Sequence, residues 1–239
     1  NNMMKLSIII PVFNEERTIF QVLEKVDKVD IDGIKKQIIV INDGSTDSTA
    51  SKIQNFLVKH PDIKIINHTK NQGKGAAVIS GINNATGDFI IIQDADLEYN
   101  PEDIKKLTGL AKDKEAEVVY GTRLNRLPRF SRDERTPQFL LHYIGNKFLS
   151  LLTSILYGQW ITDMETCYKL FSKKAIQGIR LNARGFEFEP EITAKLLKKG
   201  HKIYETSINT KPRGYDEGKK LNTFKDGAIA LWTLFKYRF

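Results

Sequence analysis

The chain has 239 residues, of which 41% are hydrophobic and 28% are charged, and its formal net charge is +8. This length and composition allow a substantial buried core and exclude a disordered, collagen-like or low-complexity protein. The single cysteine, Cys167, excludes an intrachain disulfide and a cysteine metal cluster, which is typical of a reducing compartment. No stretch reaches the roughly 20 mostly apolar residues of a bilayer span, so no transmembrane helix is expected. The nearest candidates are Leu149–Ile161 and Ala228–Phe235.

The first half of the chain alternates short β-branched runs with amphipathic segments. The runs are apolar and end at turn residues, which predicts buried strands. They are Leu6–Pro11, Gln37–Asn42, Ile63–Asn67, Phe89–Gln93 and Val118–Tyr120. The helices predicted between them begin near Asn14 and lie near Thr49–Val58, Ala76–Asn84 and Pro101–Ala111. Such alternation predicts an α/β fold with a mainly parallel central sheet flanked by helices.

From about Leu124 this regular alternation ends at an arginine-rich loop. The elements predicted beyond it are a helix near Phe139–Tyr157, a strand at Cys167–Phe171, a helix at Glu189–Lys199, a strand at Lys202–Thr206 and a final helix over roughly Thr223–Tyr237. Because no internal repeat or flexible linker is visible, we expect a single domain over residues 1–239. Its first half covers about residues 4–123, and its second half covers about residues 124–239.

Polar residues follow each of the five strands predicted in the first half. These segments are Pro11-Val12-Phe13-Asn14-Glu15, Asn42 to Asp47, Asn71-Gln72-Gly73-Lys74-Gly75, Asp94-Ala95-Asp96 and Gly121-Thr122-Arg123. In a doubly wound sheet, ligands bind beyond the carboxyl ends of the strands. We therefore expect the five segments to line a single cleft.

Two of these segments point to phosphate chemistry. Asp94 and Asp96 follow the run Phe89–Gln93, which is wholly apolar or amide, and can hold a hard divalent cation that also contacts phosphate oxygens. The alternative is a pair of solvated loop acids, and Glu98 either completes the cation's ligands or faces solvent. Lys74 between two glycines can approach a phosphate at a helix N-terminus, or it is simply an exposed lysine. The spacing fits neither a Walker A loop nor a dinucleotide fingerprint.

Most of the excess positive charge lies in residues 123–135 and 211–239. This distribution predicts an anionic partner, which is a phosphate group, an acidic membrane surface or a nucleic acid. A nucleic acid is the least favoured, because the acidic strand ends would repel its backbone. The final helix is strongly apolar with basic residues at its ends, so it either lies in a membrane interface or packs on the domain.

These motifs, in their order and spacing, resemble the family 2 glycosyltransferases with the GT-A fold. Within that family the chain is most similar to the polyprenyl-phosphate (dolichol-phosphate) hexose synthases. The similarity extends through the Asp163–Phe171 segment and through Pro212-Arg213 followed by Glu217-Gly218-Lys219-Lys220. It therefore covers nearly the whole chain.

The resemblance implies an inverting, Mg²⁺- or Mn²⁺-dependent transfer of a hexose from a UDP- or GDP-sugar. The residues that it implies for the nucleotide sugar are Pro11, Phe13, Glu15, Asp43, Lys74, Asp94 and Ala95. Asp94 and Asp96 would hold the metal, with Glu98 beside them. Asn42 stands where many relatives have a second aspartate, which leaves the base preference open.

The acceptor that the resemblance implies is a polyprenyl phosphate at the cytoplasmic face of a membrane, reached by a peripheral enzyme or through a membrane-bound partner. The bases expected around its phosphate are Arg123, Arg135, Arg213 and Lys219. Asp96, Arg123 and Asp163 are the expected catalytic residues. A phosphate monoester attacks without a strong base, whereas the alternative acceptor, a glycan hydroxyl, needs one, and Asp163 or Glu165 would serve. Asp163 is equally suited to bracing the turn that follows it.

Overall fold

Within the residues that the structure describes, seven strands form one sheet in the order β3-β2-β1-β4-β6-β5-β7. The computed structural model describes residues 4–31, 33–124, 137–211 and 223–239. The strands are β1 (Met4–Val12), β2 (Ile34–Asn42), β3 (Lys64–Asn67), β4 (Phe89–Ile92), β5 (Val118–Thr122), β6 (Lys169–Ser172) and β7 (Ile203–Ser207). Each corresponds to a predicted strand within a few residues.

The sheet is mostly parallel, as the sequence predicts. Strand β1 runs parallel to β2 and β4, β2 runs parallel to β3, and β5 runs parallel to β7. Strand β6 is antiparallel to both of its neighbours, β4 and β5. The carboxyl ends of β1, β2, β3, β4 and β5 therefore lie at the same edge, and the mixed α/β fold class is confirmed.

Helices lie between the strands. They are α1 (Ile19–Lys28), α2 (Thr49–Leu57), α3 (Lys74–Asn84), α4 (Ile104–Asp113), α5 (Pro137–Tyr157), α6 (Lys173–Ile176), α7 (Phe188–Lys198) and α8 (Thr223–Arg238). A 3₁₀ turn over Pro101–Asp103 precedes α4, and the side chain of Asn100 accepts a hydrogen bond from the backbone N–H of Glu102 there.

The core surrounds β1, whose side chains from Ile8 to Ile10 are completely buried. Helix α3 packs closely on β1 at Gly81, where an added Cβ would lie only 2.4 Å from Cγ2 of Ile9. Gly81 therefore sets the depth at which α3 crosses the sheet. This packing also fixes the position of Lys74, the first residue of α3, at the carboxyl edge of the strands.

One expectation from the sequence is wrong, and for a second the structure offers a weak candidate against it. The first helix begins at Ile19 and not near Asn14, because Asn14 adopts a left-handed conformation with φ of 51° and bonds to the loop after β2. The second is the expectation that no stretch is long and apolar enough to span a membrane. The helix over Phe139–Tyr157 is long and apolar enough to cross a membrane by length and composition alone, since Lys147 is its one charged residue.

Candidate active site

A cavity of about 620 Å³ lies at the carboxyl ends of the strands. All five of the polar segments predicted to meet there contribute to its lining. The predicted site residues among them are Pro11, Phe13, Glu15, Asp43, Lys74, Asp94, Ala95, Asp96, Glu98 and Arg123. Asp163 lies behind Arg123 and is itself completely buried. Arg135, Arg213 and Lys219 lie outside the described residues, so the prediction for them has no structural counterpart here.

The loops after β1 and β2 are locked together at one rim of the cavity. The backbone N–H of Asn14 donates to Ser45 Oγ at 3.0 Å, and Asn14 Oδ1 accepts from the backbone N–H of Thr46 at 2.8 Å. The backbone N–H of Glu15 donates to Thr49 Oγ1 at 2.9 Å. These reciprocal bonds hold the rim in one conformation, so the segment that carries Phe13 and Glu15 is positioned by the fold itself.

Asp43 holds the loop that leads into α3. Its Oδ1 accepts from His68 Nδ1 at 2.6 Å and from the backbone N–H of Gln72 at 3.0 Å. Its Oδ2 accepts from the backbone N–H of Gly73 at 2.9 Å. An ionised carboxylate offers about four acceptor sites, so these bonds leave about one for a ligand. Asp43 therefore shapes the approach to Lys74 as well as facing the cavity.

The carboxylate pair at the end of β4 is already engaged with its surroundings. Lys74 Nζ lies 2.8 Å from Asp94 Oδ1, and Asp96 Oδ1 accepts from the backbone N–H of Glu98 at 3.0 Å. Burial alone would lower the pKa of Lys74, but Asp94 and neighbouring groups raise it well above its ordinary value. Lys74 is therefore a permanent cation at the N-terminus of α3.

The predicted ligand set of Asp94, Asp96 and Glu98 is not preassembled. Among the described residues, no three His, Cys, Asp or Glu side chains come together as a metal site. Mg²⁺ in phosphate-binding sites is held by one or two carboxylates, with phosphate oxygens and waters completing its coordination. The oxygen donors of Asp94 and Asp96 fit that chemistry, and they fit Mn²⁺ equally well.

Arg123 follows β5 and is fixed by a buried carboxylate. Its Nε and Nη2 each donate to Asp163 at 2.8 Å, and its backbone N–H donates to Asp163 Oδ2 at 2.9 Å. Asn146 Nδ2 donates to Asp163 Oδ1 at 2.9 Å. Burial would raise the pKa of Asp163, but the charge and hydrogen bonds of Arg123 hold it below its ordinary value. Asp163 is thus a permanent anion whose acceptor sites are occupied.

A second carboxylate supports this arrangement from β7. Glu205 accepts the backbone N–H groups of Thr162 at 3.0 Å and of Asp163 at 3.2 Å. Burial raises the pKa of Glu205, and these hydrogen bonds oppose that rise. Arg123, Asp163 and Glu205 are therefore linked by hydrogen bonds in a series that runs from the cavity into the protein.

Two functional candidates escape the sequence analysis, namely Lys169 and Glu189. Lys169 is completely buried in β6, and its Nζ donates to Glu189 Oε2 at 2.6 Å. Glu189 is 4% exposed and lines the cavity, and its Oε1 has no hydrogen-bond partner among the described residues. The available signal was a lysine inside the apolar strand run for Lys169, and for Glu189 a glutamate at the start of a predicted helix, where acidic residues are common.

Glu165 also lines the cavity, and its Oε1 likewise has no hydrogen-bond partner within the described chain. Burial raises the pKa of Glu165 to about 7, the charge of Lys169 opposes this rise, and Glu189 adds to it. A carboxyl group that titrates near neutrality is suited to accepting a proton.

Comparison with solved structures identifies the class of fold. The chain superposes on glucosyl-3-phosphoglycerate synthase from Mycobacterium tuberculosis, in complex with Mn²⁺, UDP and glucosyl-3-phosphoglycerate, with a TM-score of 0.70. The superposition covers 98% of this chain and 80% of that chain at 19% identity. The fold is that of the GT-A glycosyltransferases.

The family follows from the sequence match. The glycosyl transferase family 2 profile matches residues 7–180, so this chain belongs to glycosyl transferase family 2 and is a glycosyltransferase.

Two curated relatives confirm the predicted resemblance within that family. A dolichol-phosphate mannosyltransferase of Pyrococcus furiosus is 29% identical over 90% of this chain. A dolichyl-phosphate beta-glucosyltransferase of Trichomonas vaginalis is 32% identical over 94% of this chain. The chain spans 59% of the first relative's length and 69% of the second's.

Proposed function

We propose that this glycosyltransferase moves a hexose, with inversion, from a UDP- or GDP-sugar to a polyprenyl phosphate. The names of the two relatives support this acceptor, since both refer to dolichol phosphate. The main structural support is Arg123, because its guanidinium is fixed in the same cavity as the carboxylates of Asp94 and Asp96.

The donor half of the proposal assigns the base and ribose to Pro11, Phe13, Glu15 and Asp43, at the rim that the first two loops form. Lys74 would contact the diphosphate from the start of α3, where backbone N–H groups also favour an anion. A divalent cation held by Asp94 and Asp96 would neutralise the charge that develops on the leaving diphosphate.

The acceptor half of the proposal depends on how Arg123 is held. A guanidinium has five N–H donors, and two of those in Arg123 bond to Asp163. The remaining donors suit a phosphate, for which arginine forms paired, charge-assisted hydrogen bonds. We propose that Asp163 acts as a brace, because its low pKa and its occupied oxygens make it a poor proton acceptor. Arg135, Arg213 and Lys219 complete the proposed phosphate site.

A second candidate function is transfer to a glycan hydroxyl, and Glu165 favours it. A hydroxyl acceptor requires a general base with a pKa near the working pH. Glu165 lines the cavity and has a pKa raised to about 7 by burial. The two functions therefore make opposite predictions for Glu165 and for the acceptor-phosphate arginines.

We further propose that the enzyme acts as a peripheral protein at the cytoplasmic face of a membrane. The outer face of α5 carries exposed apolar side chains at helical spacing, namely Leu140, Leu141, Ile144, Phe148, Leu151 and Ile155. Helix α8 adds exposed Trp232 and Phe235, and Tyr157 Oη donates to Leu234 O at 2.8 Å, which joins the two helices. An apolar face beside basic residues is typical of interfacial helices.

Sugar transfer to a short-chain prenyl phosphate tests the proposal. The purified chain is incubated with UDP- or GDP-hexoses and Mn²⁺, and we expect a prenyl-phosphate hexose that is lost with EDTA or in Asp96→Ala. Loss of that product in Arg213→Ala with retention in Glu165→Gln would support the phosphate acceptor. Absence of the product in the wild type, together with transfer to a glycan that is lost in Glu165→Gln, would support a hydroxyl acceptor. Failure to bind any nucleotide sugar in the presence of Mn²⁺ would overturn both.

A further inference from the structure

Glu189 presents one unsatisfied carboxylate oxygen to the cavity. The side chain of Glu189 is 5% exposed, and its Oε1 has no hydrogen-bond partner in the described part of the chain. A buried carboxylate oxygen without a donor is unfavourable, and such groups usually have a functional reason. The oxygen therefore marks a position where a ligand is expected to donate a hydrogen bond.

Lys169 fixes the direction in which this oxygen points. An ammonium has three donors, and Lys169 Nζ bonds to Glu189 Oε2, to Met164 O at 2.8 Å and to Thr166 O. With all three donors used, Lys169 holds one oxygen of Glu189 and leaves the other for the cavity.

Lys74 places Glu189 next to the proposed diphosphate position. Its Nζ lies 2.8 Å from Asp94 Oδ1 and 3.9 Å from Glu189 Oε1. The carboxylates of Asp94 and Glu189 are thus neighbours across one ammonium group. The hexose of a nucleotide sugar is joined to the outer phosphate, so it is the part of the donor that would lie beside Glu189.

The charges around Glu189 restrict the chemistry of its ligand. A phosphate is disfavoured because its oxygens would face the carboxyl oxygen of Glu189, and a metal cation is disfavoured because Lys74 and Lys169 flank that carboxyl group. A neutral group with an O–H donor satisfies both conditions, and a sugar hydroxyl is such a group.

We propose that Glu189 is a specificity-determining residue whose Oε1 accepts a hydrogen bond from one hydroxyl of the transferred hexose. This inference rests on the proposed nucleotide-sugar donor. It differs from the role of a general base, because the proton stays on the sugar hydroxyl and no bond forms or breaks at Glu189.

The test compares donors that differ by one hydroxyl. Calorimetry with Mn²⁺ gives the affinities of the wild type for UDP or GDP, for the corresponding hexose nucleotide, and for its single-position deoxy analogues. Because hydrogen bonds to charged groups are strong, we expect removal of one hydroxyl to weaken binding roughly 10- to 100-fold. In Glu189→Gln we expect that penalty to fall to about threefold or less, while the nucleotide without sugar binds as before.

Glu117→Gln is the matched control, since Glu117 lies at the opposite end of β5 and outside this cavity. It should keep the full deoxy penalty. If Glu189→Gln does not fold, Glu189→Asp is measured with the same donors, and we expect the penalty to fall because the carboxylate is one methylene shorter.

Retention of the full penalty in the folded Glu189 variant would overturn the inference. So would an equal loss of turnover for all donors with unchanged sugar affinity, which would indicate proton transfer. If the wild type binds the hexose nucleotide but no deoxy analogue is weaker, the inference fails and the proposed function stands. If the wild type binds no sugar nucleotide at all, both fail.

Discussion

Asp163→Asn is the substitution for which the structure gives the clearest expectation. It keeps the shape of the side chain but removes the charge that opposes Arg123 across two 2.8 Å hydrogen bonds. Breaking a buried ion pair by removing one partner costs about 3–5 kcal/mol. The lower end applies here, because the Arg123 side chain remains 24% exposed and water can partly solvate its charge.

A loss of about 3 kcal/mol corresponds to a fall in Tm of roughly 6–12 °C for a chain of this size. Thermal and denaturant unfolding measure that loss directly. Asp27→Asn is the control, because Asp27 forms a partly exposed pair with His60 at 3.3 Å and should change stability by less than about 0.5 kcal/mol.

The same substitution should affect the acceptor more than the donor. Without Asp163 the guanidinium of Arg123 is no longer held in one orientation, so KM for a soluble prenyl phosphate should rise roughly tenfold, equivalent to about 1.4 kcal/mol. Donor affinity should stay near the wild-type value. A variant with unchanged Tm and unchanged acceptor KM, but with a large fall in kcat and loss of one limb of the pH profile, would refute the bracing role and assign Asp163 as a base.

Three further substitutions test other parts of the structure. Glu165 has a folded pKa of about 7 against 4.5 in the unfolded chain, so ionising it disfavours the folded state. The stability of the wild type should therefore fall relative to that of Glu165→Gln as the pH rises from 4.5 to 7, by up to the order of 3 kcal/mol. Denaturant unfolding of both proteins measures this. An equal difference in stability between the two proteins at pH 5 and at pH 8 would contradict the expectation. Gly75→Ala would place a Cβ 2.8 Å from two backbone carbonyl oxygens, so the free energy of unfolding should fall by about 1–3 kcal/mol. The control is Gly109→Ala, whose Cβ would meet nothing within 4 Å and which should be neutral or stabilising. Ile144→Asp, on the exposed face of α5, should leave Tm unchanged and weaken co-sedimentation with anionic lipid vesicles; undiminished binding would argue against membrane contact through this face.

The strands of the fold were predictable because burial on both faces requires continuous apolar runs. The Ile-rich β1 and β4 show this clearly, and each was located within a few residues. The direction of β6 was not predictable, because the run that contains Leu170 and Phe171 reads the same whether its neighbours are parallel or antiparallel. Pairing across the sheet, for example of Leu170 with Ile91, is a property of the folded chain alone.

The residues of the candidate site divide in the same way. Asp94, Asp96 and Arg123 were identified because each directly follows an apolar strand. The pair of Lys169 and Glu189 was missed because the two residues are 20 positions apart. Lys169 lies in an apolar strand, and Glu189 lies among other glutamates at the start of α7. Neither charge by itself indicates a site until its partner in the folded chain is known.

The charge inside the cavity is opposite in sign to that of the chain. The chain carries a formal net charge of +8, yet the described residues that line the cavity include eight acids, one lysine and one arginine. An anionic diphosphate would be repelled by such a lining unless a divalent cation accompanies it. The basic segments at residues 123–135 and 211–239 are instead suited to attracting an anionic acceptor. Affinity for UDP or GDP should therefore depend steeply on Mn²⁺ or Mg²⁺, and affinity for a prenyl phosphate should depend mainly on ionic strength.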